Sequence, residues 1–257
     1  MVPVSLEGLG NPSIDLLVRA MTGRMQVCCS PLVADVSPVD WLDATERDRF
    51  EGLRQVGDKH LFVTSRMLMK RMLGHLSETS PELVRLDYQC PRCDRSHGRP
   101  VVVGPPAAVR WHVSLSHAGH HLMVAATDVG PVGVDLERTG ATAFEGFDGV
   151  ALNSSERTEV ARCAPAAQAR ARAVYWARKE AVLKATGYGL AVDPAALEVS
   201  APHLPAALTA WHADRPPPPQ VQLSDIPSGD DRVAAVAVLA PTPCRIDLQP
   251  PPGSGRG

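Results

Sequence analysis

Apolar residues occur along the chain in short runs that predict β-strands. The runs are bounded by Gly, Pro, Asp or Ser, which is typical of strands that end in turns. The predicted strands cover residues 26–32, 113–115, 122–127, 132–136, 197–199, 221–223 and 233–239. The turn Asp128-Val129-Gly130-Pro131 joins the third of them to the fourth.

Other segments have the period of a helix. From Asp58 to residue 76 apolar side chains recur on one face, and Arg66, Lys70 and Arg71 add positive charge. Residues 166–186 are rich in Ala and contain neither Gly nor Pro, so they predict the strongest helix, which Gly187 ends. Shorter helices are predicted over 46–55 and from residue 154 onward. The mixture of elements predicts an α/β (α+β) fold.

Composition excludes several classes of protein. The chain has 257 residues, with 26 Lys and Arg against 28 Asp and Glu, and its net charge of −2 argues against a broad basic face for nucleic acid. No stretch approaches the roughly 20 apolar residues that span a bilayer. Six cysteines are too few for a disulfide scaffold of this length, so we expect reduced thiols and a cytoplasmic location.

Two carboxylates are spaced for one face of a strand. In Gly133-Val134-Asp135-Leu136-Glu137 the side chains alternate, so Asp135 and Glu137 project together. Such a pair repels unless a positive charge lies between them, and ligation by oxygen alone suits Mg²⁺ or Mn²⁺. The alternative interpretation is a strand face in contact with solvent.

A second charged pattern lies on the predicted long helix. Trp176, Glu180 and Lys184 follow each other at i, i+4 and i+8 and so share one stripe, with Lys179 beside them. The alternative interpretation is an ordinary salt bridge between Glu180 and Lys184 on a helix facing water. A Trp on the same stripe favours burial instead.

These segments together resemble the 4′-phosphopantetheinyl transferases of the larger, Sfp-type class. Gly133 to Glu137 is similar to the family's strand signature G-[IV]-D-[IL]-E, and Trp176 to Leu190 is similar to its helix signature W-x-x-K-E-A-x-x-K-x-x-G-x-G-L. The segments Gly98-Arg99-Pro100 and Ser114-Leu115-Ser116-His117 resemble two further elements of the family. The resemblance extends from about residue 27 to residue 239.

The resemblance implies an enzyme that transfers the 4′-phosphopantetheine arm of coenzyme A to a serine of an apo acyl or peptidyl carrier protein. Adenosine 3′,5′-bisphosphate is the other product. By resemblance, Asp135, Glu137 and Glu180 would hold Mg²⁺, with Mn²⁺ as an alternative ion. Lys184 would contact the transferring phosphate, and Glu156 would help to take the serine proton.

The resemblance also implies where coenzyme A binds. Its adenine site would be lined by Gly98, Arg99 and Pro100. His117 would hydrogen-bond a phosphate of coenzyme A, and Ser116, Lys179 and Lys184 are also assigned to its binding. Near the N-terminus, relatives hold the 3′-phosphate with basic residues, and Arg49 is the one that we assign.

The resemblance implies two similar α+β halves with antiparallel sheets, packed as a pseudo-dimer. The expected division is an N-terminal extension (1–24), an N-terminal subdomain (25–128), a C-terminal subdomain with the metal site (129–240) and a disordered tail (241–257). Because one chain would contain both halves of the cleft, we expect a monomer. In relatives the segment 139–152 helps to receive the carrier protein.

Two other functions remain open from the sequence. The first is an Mg²⁺-dependent phosphohydrolase that cleaves a nucleotide pyrophosphate with water as the nucleophile. The second is a zinc-stabilised interaction module built on Cys90, Cys93 and His97, whose C-x₂-C-x₃-H spacing is half of a zinc knuckle. A turn with two reduced thiols is the favoured interpretation of that motif.

Overall fold

The fold is a mixed α+β arrangement of antiparallel sheets and helices, seen in a computed structural model that describes residues 23–32, 40–89 and 98–250. The strands in these residues are β1 (Gly23–Pro31), β2 (Arg85–Asp87), β3 (Val101–Gly104), β4 (His112–Ala118), β5 (His121–Thr127), β6 (Val132–Arg138), β7 (Leu197–Val199), β8 (Leu208–Trp211), β9 (Gln222–Ile226), β10 (Arg232–Val238) and β11 (Cys244–Gln249). The helices are α1 (Ala44–Gly52), α2 (Val56–Leu76), α3 (Phe147–Ala151), α4 (Ser154–Arg162) and α5 (Pro165–Thr186).

The first large sheet has the strand order β11-β1-β5-β4. Its β1–β5 and β4–β5 pairs are antiparallel, whereas β11 adds to β1 in parallel. Helix α2 covers one face, where Leu68 and Leu73 pack against Val113 and Val124. Helix α2 has the apolar face and the C-terminal end predicted from the sequence, but it begins at Val56, two residues before the predicted start at Asp58.

The second large sheet has the order β6-β10-β9 and is antiparallel throughout. Helix α5 covers its outer face, where Ala177 and Ala181 pack near Ala235 and Ala237. The inner faces of the two sheets meet in a separate apolar cluster that includes Val27, Met123, Val134, Leu136 and Val236. The molecule is therefore layered as helix, sheet, sheet, helix, and the outer face of β6 lies under α5.

One long helix thus packs on each large sheet: α2 on the four-stranded sheet and α5 on the three-stranded antiparallel sheet. The pseudo-dimeric relation of the two halves and the division at residues 128 and 129 stay predictions. Among the described residues, no helix combines the length and the apolar character needed to cross a membrane.

The expected disordered tail from residue 241 is wrong for Cys244–Gln249, which form β11. This strand pairs with β1, so the end of the second half completes the sheet of the first half. Apolar and polar residues alternate over 244–249 with the period of a strand, but the prolines on both sides of this short segment favoured a tail instead. Residues 1–22 and 251–257 lie outside the described residues.

Candidate active site

Helix α5 and strand β6 run in opposite directions and place their polar side chains opposite one another. Trp176 meets Glu137 near the start of the contact, and Lys184 meets Asp135 further along. The contact is close because Gly133 has no side chain: a Cβ there would overlap the Ala181 carbonyl oxygen. The glycine of the strand motif is therefore a packing requirement.

Asp135 is buried, and its two carboxylate oxygens have different surroundings. Its Oδ1 accepts hydrogen bonds from Lys184 Nζ at 2.6 Å and from Ser116 Oγ at 2.8 Å. Its Oδ2 is buried without a hydrogen-bond partner among the described residues. With 2% of its surface exposed, Asp135 does not lie on a solvated strand face, so that alternative is excluded for this residue.

Glu180 lies on α5 between Trp176 and Lys184. Its Oε1 is also buried without a partner in the described part of the chain. Burial raises the pKa of Glu180, and Asp135 raises it further, while the Lys184 ammonium lowers it. Lys184 forms its ion pair with Asp135 rather than with Glu180, so the simple helix-surface salt bridge is not what the structure has.

The carboxyl group of Glu137 has a strongly raised pKa. Burial and the neighbouring Asp135 raise its pKa to about 7, with a smaller contribution from Glu180. The Trp176 indole donates to Glu137 Oε1 at 3.1 Å and partly offsets this effect, as does Lys184. Asp135 raises the pKa of both Glu137 and Glu180, and Glu180 also raises that of Glu137, so the three carboxylates form one electrostatic group.

Strand β4 supplies two serines that hold β6 in register. Ser116 Oγ donates to Asp135 and accepts from Lys184 Nζ at 3.0 Å. Ser114 Oγ accepts from the Val134 N–H at 3.0 Å, and both atoms are buried. The resemblance assigns Ser116 to coenzyme A binding and gives Ser114 no role. Ser114 lies two residues before Ser116 on a strand, however, so both hydroxyls are on one face.

His117 follows Ser116 and lies at the exposed rim of the same group. Partial desolvation of the ring lowers the pKa of His117, and Lys184 lowers it further while Asp135 opposes this. A neutral imidazole at this edge can donate or accept one hydrogen bond from each nitrogen.

The segment 98–100 lies against the C-terminal end of α5. Arg99 donates to the Ala185 carbonyl oxygen at 3.3 Å, and its guanidinium lies beside Gly187, which has a φ of 73°. Gly98 donates its N–H to the Tyr88 carbonyl oxygen, and a Cβ there would overlap the backbone of Gln89. The structure therefore brings this segment to the helix that carries Glu180 and Lys184.

The side chains of Glu156 and Lys179 form no hydrogen bond or ion pair with Asp135, Glu137, Glu180 or Lys184 in the described part of the chain, and their expected roles at the reacting centre stay predictions. Both are buried, and they form an ion pair with each other. Glu156 also accepts from the backbone N–H groups of Asn153 and Val199, while Lys179 donates to the Ala151 carbonyl oxygen at 2.8 Å. These contacts cap α4 and fasten it to α5 and β7, so they account for both charges structurally.

Arg49 lies on α1, where its guanidinium is 5.9 Å from the centre of the Phe62 ring. On the same helix, Glu46 forms buried ion pairs with Lys70 at 2.7 Å and with Arg66 at 3.3 Å. No contact joins Arg49 to the carboxylates of β6 and α5 within the described residues, so its role at the 3′-phosphate stays a prediction.

A ready-made metal cage is absent: the described residues contain no group of three or more His, Cys, Asp or Glu that could hold a metal ion as they stand. The chemistry of Asp135, Glu137 and Glu180 nevertheless fits a divalent cation. They offer oxygen donors only, two of these oxygens lack partners, and burial leaves their negative charge undercompensated. The proposed zinc ligands Cys90, Cys93 and His97 lie outside the described residues.

Phe144 and Val150 are exposed apolar residues of the segment 139–152, here termed the apolar patch; Phe144 is connected to Trp176 through Phe147. The Phe144 ring packs edge-on to Phe147 at 5.4 Å, and Phe147 packs in the same way on Trp176 at 5.8 Å. Phe144 and Val150 themselves are 60% and 64% exposed. The patch therefore lies on the segment 139–152, one aromatic ring away from the indole that contacts Glu137.

One comparison with known proteins found a match within the second half of the chain. Residues 131–237 match the family model of the 4′-phosphopantetheinyl transferase superfamily. No curated protein matches the chain. The matched segment contains β6 and α5, and with them Asp135, Glu137, Glu180 and Lys184. Residues 131–237, which carry both motifs of the candidate site, are therefore similar to the 4′-phosphopantetheinyl transferase superfamily.

Proposed function

We propose that the protein transfers 4′-phosphopantetheine from coenzyme A to a serine of an apo acyl or peptidyl carrier protein. The observation that carries the proposal is the contact of α5 with β6, which gathers three carboxylates and Lys184 within the segment that matches the superfamily. The superfamily uses coenzyme A and typically a divalent metal.

The reaction forms a bond from the serine Oγ to the phosphorus that bears pantetheine. It breaks the bond from that phosphorus to the bridging oxygen of the pyrophosphate, and adenosine 3′,5′-bisphosphate leaves with the bridging oxygen. The serine proton passes to water or to an ionised carboxylate of the site. Negative charge grows on the leaving phosphate, so stabilisation by fixed positive charge is the main catalytic need.

Lys184 is the residue of this chain that meets this need. Its ammonium lies at the boundary between the buried Asp135 and the solvent, within reach of a phosphate that enters from the open side. Asp135, Glu137 and Glu180 would hold Mg²⁺ or Mn²⁺. When bound, that cation would neutralise the pyrophosphate and polarise its oxygens.

Coenzyme A would lie across the end of α5. The adenine would be held by residues 98–100, which dock on that end through Arg99. The phosphates would contact Ser116, His117 and Lys184, and Arg49 would hold the 3′-phosphate. No step of this proposal depends on Glu156 or Lys179, because their contacts are already satisfied within the protein.

The carrier would dock on the exposed patch of Phe144 and Val150. A carrier protein offers an apolar recognition helix in an acidic surround, and an apolar patch on a short helical segment can accept several such partners. The larger, Sfp-type class, the single-chain cleft and a monomeric state are parts of the same proposal.

Mass spectrometry of carrier proteins tests the proposal. The protein is incubated with coenzyme A, Mg²⁺ and a panel of apo carriers from fatty acid, polyketide and nonribosomal peptide systems. We expect at least one carrier to gain one phosphopantetheine, and the same carrier with Ala in place of its serine to gain none. Release of phosphate products without a change in carrier mass would support the hydrolase instead.

A further inference from the structure

One ammonium lies within the group of three carboxylates. Lys184 is the only Lys or Arg of the described residues that forms an ion pair with Asp135, Glu137 or Glu180. Its Nζ has three acceptors: Asp135 Oδ1 at 2.6 Å, Ser116 Oγ at 3.0 Å and the Val134 carbonyl oxygen at 3.1 Å. Three acceptors satisfy all three N–H groups of an ammonium.

The ammonium already does part of what a divalent cation would do there. It lowers the pKa of Glu137 and of Glu180, which burial and mutual repulsion raise. It also neutralises Asp135, whose side chain has almost no access to solvent. The remaining oxygens, Asp135 Oδ2 and Glu180 Oε1, are still without partners.

We propose that Lys184 is an internal counter-ion that keeps the carboxylate group folded in the metal-free protein and that leaves Asp135 when a divalent cation binds. The inference rests on the proposed function for the identity of the group as a cation site. It adds that the same ammonium serves two partners in turn, first Asp135 and then the phosphate.

The two partners differ in their freedom to move. The Lys184 side chain is 29% exposed and has a flexible four-carbon stem, whereas the Asp135 side chain is 3% exposed and has a short stem on strand β6. Ser116 donates to the same Asp135 oxygen, so that oxygen keeps one hydrogen bond when the ammonium leaves. The lysine is therefore the partner that can be exchanged without disturbing β6.

The exchange predicts opposite effects on two measurements. Replacing Lys184 by Met removes the counter-ion, so the metal-free protein should lose several degrees in Tm because a buried carboxylate becomes unpaired. It also removes a competing positive charge, so the affinity for a divalent cation should rise about tenfold or more. A residue with only a structural role would lower Tm without raising the affinity.

A matched control is available on the same helix. Arg172 forms a bidentate ion pair with Asp148 at 2.6 and 2.9 Å. It lies about two helical turns before Glu180 on α5 and forms no ion pair with the three carboxylates. Arg172→Met should lower Tm and leave the cation affinity unchanged. Lys184→Gln keeps a donor for Ser116 without the charge, and it replaces Lys184→Met if the latter does not fold.

The experiment measures Mn²⁺ binding by electron paramagnetic resonance in the absence of coenzyme A, together with Tm with and without Mg²⁺. Tighter Mn²⁺ binding and a lower metal-free Tm for the Lys184 variant alone would support the exchange. Unchanged or weaker binding, or the same gain in Arg172→Met, would overturn it. Absence of Mn²⁺ binding in every variant would also overturn it, while the carrier mass assay judges the proposed function separately.

Discussion

Gly133 on β6 and Ala181 on α5 approach so closely that a Cβ on the glycine would overlap the alanine carbonyl oxygen. The Ala185 backbone nitrogen lies on the same side and leaves no room to shift. This contact sets the distance between the strand that carries Asp135 and Glu137 and the helix that carries Glu180 and Lys184. The packing of α5 on β6 and the geometry of the carboxylate group therefore both depend on the contact between Gly133 and the backbone of α5.

Gly133→Ala should accordingly destabilise the fold by about 3 kcal/mol or more, because backbone rather than a flexible side chain opposes the new methyl group. Chemical denaturation gives the free energy of unfolding. Gly57→Ala is the control, because nothing lies within 4 Å of its Cβ position, and it should stay within about 1 kcal/mol of the wild type. Equal stabilities for the two variants would contradict the packing explanation.

Lys184→Ala should lower turnover by about 10²–10³, the typical cost of removing one preorganised charged donor. Lys184→Arg should restore little of it, because a planar guanidinium does not reproduce the three hydrogen bonds of the compact ammonium. Steady-state kinetics with a carrier protein provide the measurement. Near-normal turnover in Lys184→Ala would remove this residue from the proposed site.

Asp135→Asn and Glu180→Gln should change the metal-free stability in opposite directions. The aspartate is paired with Lys184, so its neutralisation should cost about 1–3 kcal/mol. The glutamate is buried with one oxygen unpartnered and its pKa raised, so the amide should leave the stability level or increase it. Thermal melts in the presence of a chelator compare the two, and a loss of equal size in both would contradict the asymmetry.

The pKa of Glu137, raised to about 7, predicts a specific pH dependence of stability. A carboxyl group whose pKa is higher in the folded state binds more protons when folded, so its contribution to stability falls as pH rises from about 4.5 to about 7. Glu137→Gln should flatten this part of the stability profile of the metal-free protein. The free energy of unfolding is measured by denaturation at a series of pH values. Identical pH profiles for the wild type and Glu137→Gln would contradict the raised pKa of Glu137.

Ser114→Ala should destabilise the fold by about 1–3 kcal/mol, because it leaves the buried Val134 N–H without its acceptor. Ser114→Thr keeps the hydroxyl and should recover part of the loss. Ser155→Ala removes an exposed hydroxyl and should change stability by less than about 0.5 kcal/mol. If Ser114→Ala matched this control in urea denaturation, the hydroxyl would not be what holds β6 against β4.

Much of the site could be predicted because its residues obey local periodicities. The alternation of 133–137 placed Asp135 and Glu137 on one face of a strand, and the helical spacing placed Trp176, Glu180 and Lys184 on one stripe. The structure has both arrangements. The alternation also follows from burial, since Val134 and Leu136 face the opposite sheet.

Other features depended on contacts that no local pattern contains. Glu156 closes a capping box with Asn153, which is a local pattern, but its buried ion pair with Lys179 joins α4 to α5 and has no local signal. The sequence places Lys179 next to Glu180, but about 100° of helical rotation separates their directions. The short strands β2, β3 and β8 have too few residues for a readable alternation.

The parallel pairing of β11 with β1 has a consequence for how the protein is made. Cys28 and Pro250, which are in contact at 3.7 Å, are 222 positions apart in the chain. While the ribosome is still translating the intervening residues, β1 presents an unpaired edge of apolar residues to every nearby strand, including those of other nascent chains. That edge is closed only after β11 has been translated, so the nascent chain can aggregate through β1 throughout the synthesis of residues 32–243.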